Sequence, residues 1–139
     1  MQEGRENMEN QGSNAASVRL ILPFPPSVNH VWGRKKSGGV YLVKAARLYR
    51  LAVKSIVAAA GLQGLPLEGR LIVALDLYPP SRHRRDADNY CKAPLDALTK
   101  AGVWLDDSQV IRPRPEIHEV VPGGRLVVTI TTVRHAEAA

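Results

Sequence analysis

A chain of 139 residues, 45% of them apolar and few aromatic, holds material for one hydrophobic core and little for a second. Its single cysteine, Cys91, excludes an internal disulfide and a multi-cysteine zinc centre, and apolar runs such as LIVAL fall far short of a membrane span. A net charge of +6 points towards a polyanionic partner, nucleic acid foremost, although a basic surface kept for solubility has the same composition. Residues 1–16 are polar, contain three glutamates and one arginine, and read as a disordered leader; they carry no signal-peptide pattern, so the expected compartment is the cytoplasm. The folded domain is expected over residues 17–134, with a short tail at 135–139.

VRLILPF, Val18 to Phe24, reads as a strand stopped by Pro25-Pro26, because proline cannot donate to a ladder. Ser37-Gly38-Gly39 reads as a hairpin tip or a loop, preceded by Arg34, Lys35 and Lys36. Lys44 to Ala60 is rich in helix formers, and on a helix Lys44, Arg47, Arg50 and Lys54 share one face. Gly69 to Pro80 is a second strand. A helix is expected from about Asn89 to Lys100, with Asp88 as its N-cap; Pro94 requires that it start later or that its first turns be distorted. The remainder reads as two strands joined in a hairpin at Pro122-Gly123-Gly124. The order β, α, β, α, β, β predicts a small α+β domain with a mixed sheet of about four strands and two main helices.

The chemistry concentrates in RRDADNYCKAPLDALTKAGVWLDD, Arg84 to Asp107, where five aspartates sit in an otherwise basic chain. In an extended segment Asp86 and Asp88 face the same way. Asp88, Lys92 and Asp96 are spaced four apart, along one helix face. If the chain returns past that helix, one of the pair Asp106-Asp107 meets them. Three converging carboxylates repel unless a cation sits among them, and a carboxylate-and-water shell suits Mg2+ or Mn2+. Arginines around such a centre would hold a phosphodiester. A bare Asp-x-Asp is more commonly a surface loop or a cap. An EF-hand is excluded, since the sixth residue from Asp86 is Cys91 and the twelfth is Ala97, and no Walker-type loop occurs. Three readings stay open on these residues: a metal-dependent nuclease, a non-catalytic basic DNA-binding module with structural aspartates, and a metal enzyme acting on small nucleotides or sugars.

RRDADNYCKAPLDALTKAGVWLDDSQV, together with PFPPSVNHVW near the start, resembles the RusA family of Holliday-junction resolvases over about Val18 to Val133. The resemblance implies a homodimeric, Mg2+-dependent endonuclease that cuts four-way DNA junctions by paired nicks. It implies metal carboxylates at Asp86, Asp88 and Asp107 and a functional lysine at Lys92. Asn89 belongs to the motif, orienting a ligand or capping the helix, and Asp106 matches an acid of open role. Leu95 stands where the best-known member has an aromatic residue thought to help open the junction. Arg84 and Arg85, with the Arg34-Lys35-Lys36 loop, are the candidates for DNA-phosphate contacts, which position rather than read the substrate.

Overall fold

The computed structural model describes residues 17–30, 32–38 and 40–133; the expected leader and tail lie outside the described residues. Two helices cover one face of a four-stranded sheet. In chain order the strands are β1 (Ser17–Leu22), β2 (Trp32–Arg34), β3 (Val40–Leu42), β4 (Leu71–Tyr78), β5 (Val110–Ile117) and β6 (Arg125–Thr132), and the helices are α1 (Lys44–Ala59) and α2 (Lys92–Lys100). The main sheet runs β1-β6-β4-β5, with β4 antiparallel to β6 and parallel to β5. β2 and β3 form a separate antiparallel pair, with Ser37 and Gly38 in the connection between them; Gly39 lies outside the described residues.

Alternation decides which face is the core. Leu71, Val73, Leu75 and Leu77 of β4 are buried, while the residues between them are half-exposed. On α1 the buried side chains are Ala46, Tyr49, Val53 and Val57, spaced three and four apart as a single stripe requires. The charged residues take the other side: Lys44, Arg47 and Lys54 are exposed and Arg50 is half-exposed. Tyr49 passes through the core to donate its hydroxyl to the Pro23 carbonyl at 2.9 Å, and burial pushes the phenol well above its usual pKa.

Both helices stop in the same way. Gly61 and Gly102 adopt positive φ, 75° and 83°, which a residue without a Cβ accepts freely. Each is flanked by the paired backbone bonds of a Schellman turn, Leu62 N–H to Val57 and Gly61 N–H to Ala58 after α1, Val103 N–H to Leu98 and Gly102 N–H to Thr99 after α2. The second turn sends Val103 and Trp104 straight back into the core. Trp104 is fully buried, its indole N–H donating to Thr99 Oγ1 at 2.6 Å.

Two local expectations are corrected. The regular helix begins at Lys92 rather than Asn89, which places Pro94 in the first turn, where its missing N–H leaves no bond unmade. β5 and β6 do not form a hairpin: β4 lies between them, and the 118–124 connection passes over its end with His118 N–H bonded to Leu77 and Val121 N–H to Pro79. Prolines at 113 and 115 suit β5 to an edge, where a missing donor costs no ladder bond.

Because Trp104 fills the junction between α2 and the sheet, Trp104→Ala should cost about 3–5 kcal/mol of stability, read as a lower urea midpoint with an unchanged slope.

Candidate active site

Two chain segments on either side of α2 build the site. The first leaves β4 through Ser81–Arg85. Arg85 braces this loop: its guanidinium donates to the Ser81 carbonyl at 2.8 Å, to Ser81 Oγ at 2.9 Å and to the His83 carbonyl at 3.2 Å, and it lies 5.4 Å from the Phe24 ring centre. Asp86 is extended, and its carboxylate accepts the Asp88 N–H at 3.2 Å, opening a single 3-10 turn over Ala87–Tyr90. The cap expected of Asp88 is thus made by Asp86, on a short turn rather than on α2, whose own N-cap position, Cys91, makes no side-chain cap bond. The backbone competes for the Asp86 carboxylate because the turn's first N–H groups have no other partner.

The second segment follows Trp104. Asp106 accepts the Ser108 N–H at 3.1 Å and caps another 3-10 turn, Asp107–Gln109. Gln109 closes the capping box and does more. Its side-chain carbonyl accepts the N–H groups of Leu105 at 2.9 Å and Asp106 at 3.0 Å, while its amide donates to the carbonyls of Leu67 and Gly69, each at 2.9 Å. One side chain therefore ties the acid-bearing turn to a segment about forty residues earlier in the chain. Gln109 was not among the residues expected to matter, although Asp106-x-x-Gln109 is itself a capping-box spacing.

The two segments meet in an open cleft of about 520 Å³ whose lining includes Asp88, Cys91, Lys92, Leu95, Asp96 and Asp107. Asp88, Lys92 and Asp107 thus share one cavity. Asp86 is outside its lining. Among the described residues, the three potential metal ligands whose donor atoms all lie within 4.8 Å of one another are Asp76, Glu116 and His118, away from this cleft, and not Asp86, Asp88 and Asp107. No ion pair joins Lys92 to Asp88 or Asp96 among the described residues, so the helix salt bridge that would have made the lysine structural is not formed.

Local electrostatics follow the geometry. The Ser108 backbone N–H, then the Asp107 side chain, hold the Asp106 carboxyl below its ordinary pKa, so Asp106 is an anion in use as a cap. Burial, and then the neighbouring Asp88 charge, push the Cys91 thiol up. Arg84, Arg34, Lys35 and Lys36 are exposed, and Asn89 is half-buried in the 3-10 turn, its N–H bonded to the Asp86 carbonyl at 3.0 Å.

The family model described as endodeoxyribonuclease RusA matches residues 23–131. The chain belongs to the RusA family. Its similarity to curated RusA proteins covers nearly their whole length. It is 41% identical over 116 residues to the crossover junction endodeoxyribonuclease of Enterobacteria phage 82, covering 83% of this chain and 94% of the phage protein. It is 42% identical over 113 residues to those of Shigella sonnei strain Ss046 and Escherichia coli strain K12, covering 81% of this chain and 92% of each.

Two outcomes test this geometry. Gln109→Ala should lower stability by about 1 kcal/mol, because the part-buried Leu67 carbonyl, the exposed Gly69 carbonyl and two exposed backbone donors lose their shared partner; chemical denaturation measures it. Alkylation of Cys91 by iodoacetamide at pH 8 should be slow and should accelerate in Asp88→Asn, since removing that charge removes one of the two causes that keep the thiol protonated.

Proposed function

We propose that this RusA-family chain is a structure-specific endodeoxyribonuclease that resolves four-way DNA junctions by paired, symmetric nicks, with Mg2+ (or Mn2+) as its cofactor, as a homodimer in the cytoplasm. The observation that carries the reading is the meeting of Asp88, Lys92 and Asp107 in one open cleft, from segments on opposite sides of α2. The relatives' names, crossover junction endodeoxyribonucleases, supply the substrate class and point away from the non-catalytic DNA-binding alternative.

The donor set fits a hard divalent cation: carboxylate oxygens, with open cleft space for water and phosphate oxygens. Asp88 and Asp107, which line the cleft, are the residues that would hold it, and Asp86, beside the lining and capping the turn that carries Asp88, is the third that the family motif implies. When bound, the cation polarises the scissile phosphate and lowers the pKa of an attacking water. Lys92 projects an ammonium into the same cleft and stabilises the negative charge that grows on the phosphate in the transition state. Asp106 and Gln109 hold the Asp107 turn in place, and Asn89 sits in the turn that carries Asp88. Leu95, on the cleft wall, offers an apolar surface that bases can pack against as the junction opens. Arg84 and the Arg34-Lys35-Lys36 turn contact phosphates and set the register of the DNA; Arg85 acts chiefly by bracing its loop. A four-way junction presents two symmetry-related strands, and a two-fold dimer puts one cleft on each.

A labelled four-way junction, incubated with and without Mg2+ alongside a linear duplex, tests the reading. Symmetric nicks should appear on the junction only with metal. Asp88→Asn and Asp107→Asn should bind the junction in a gel-shift assay and fail to cut it, and Lys92→Ala should bind and cut about 10²–10³-fold more slowly. Binding without cutting by the unmodified chain would leave the DNA-binding module as the answer, and full activity in Asp107→Asn would remove it from the ligand set.

A further inference from the structure

The open face of the sheet carries a second constellation that the junction chemistry does not use. In the parallel ladder Asp76 of β4 is directly opposite Glu116 of β5, so two carboxylates are neighbours on one face. Like charges placed opposite each other across strands are destabilising. His118 lies two residues beyond Glu116 and on the same face; its Nε2 is 2.8 Å from Asp76 Oδ1 and 3.7 Å from Glu116 Oε2. The described ion pairs of both carboxylates run to His118. Nε2 is within hydrogen-bond distance of Asp76 alone, and Glu116 stands farther off.

The imidazole is also held in place. Its ring stacks on Tyr78 with centroids 4.9 Å apart and planes 17° from parallel, and its backbone N–H is bonded to the Leu77 carbonyl at 2.7 Å. We propose that Asp76, Glu116 and His118 form a binding site for a borderline divalent metal ion of the zinc class, separate from the cleft. The three donor atoms lie within 4.8 Å of one another; an ion about 2.0–2.2 Å from each would open the 2.8 Å His118–Asp76 contact and draw the most widely separated pair closer. One imidazole with two carboxylates suits zinc better than magnesium, whose shell is all oxygen and water. Binding through Nε2 requires the histidine tautomer with its proton on Nδ1, so any proton on Nε2 moves or leaves as the metal enters. The ion would join β4 to β5, the proline-bearing edge strand whose first residue, Val110, lines the cleft. It would act as a staple on that strand and take no part in cleavage, and the inference stands whether or not the chain cuts junctions.

The test uses the full chain, stripped of metal and titrated with ZnCl2 by calorimetry and with CoCl2 by visible absorption. Asp88→Asn serves as the background, to remove the cleft's contribution. One equivalent should bind in that background, with a cobalt spectrum of mixed nitrogen and oxygen ligation and a rise of several degrees in Tm on adding zinc. In the same background, His118→Ala and Glu116→Gln should each weaken binding at least tenfold and abolish the rise in Tm. Glu116 is 71% exposed, so Glu116→Gln keeps the test valid if His118→Ala does not fold. No zinc binding in the Asp88→Asn background, or equal binding after Glu116→Gln, overturns the proposal.

Discussion

Trp104 sits fully buried three residues before Asp107, pinned by its indole bond to Thr99 and by the turn that Gly102 allows. From that anchor the chain has few ways to continue, and Gln109 selects one by bonding both the turn it belongs to and the Leu67–Gly69 segment. Asp107 reaches the cleft wall because hydrophobic burial holds the chain on one side of it and a saturated amide holds it on the other. Without these two restraints, an acid on a short exposed turn would sample many positions, and any site built on it would be loose.

The opposite arm of the cleft depends on weaker forces. Asp86 closes its 3-10 turn with a single side-chain bond, and the turn is otherwise fastened by the packing of Tyr90 against Phe24, with ring centroids 5.3 Å apart, and of Arg85 over the same ring. PFPPS near the N-terminus therefore supports the acid-bearing loop, through Phe24. That gives a physical reason for two distant sequence signatures to occur together: one supplies the acids and the other supplies the surface on which their loop rests.

Charge is arranged by element. Acids occupy turns at the ends of α2, where backbone N–H groups hold two of them, and exposed bases line α1 and the β2–β3 turn. The exception lies on the sheet's open face, where Asp76 and Glu116 are side by side and share His118 as a partner. β6 and β4 are central and well fastened, whereas β5 is an edge with two prolines, so it is the strand that would benefit most from a cross-link.

The local patterns were enough to place both helices, the strands that flank them and the acid-rich stretch, because side-chain alternation, helix formers and glycine stops all act within a few residues; at Ser37-Gly38 they left a hairpin and a loop both open. The motif spacing likewise identified the family. Only the folded chain decided that β4 separates β5 from β6, that Asp86 rather than Asp88 caps the turn, that Gln109 bridges to Leu67, and that His118 joins Asp76 and Glu116. Each of these is a contact between side chains or strands whose partners are set by register and by competition for backbone donors across the whole sheet, and a linear pattern carries no measure of either.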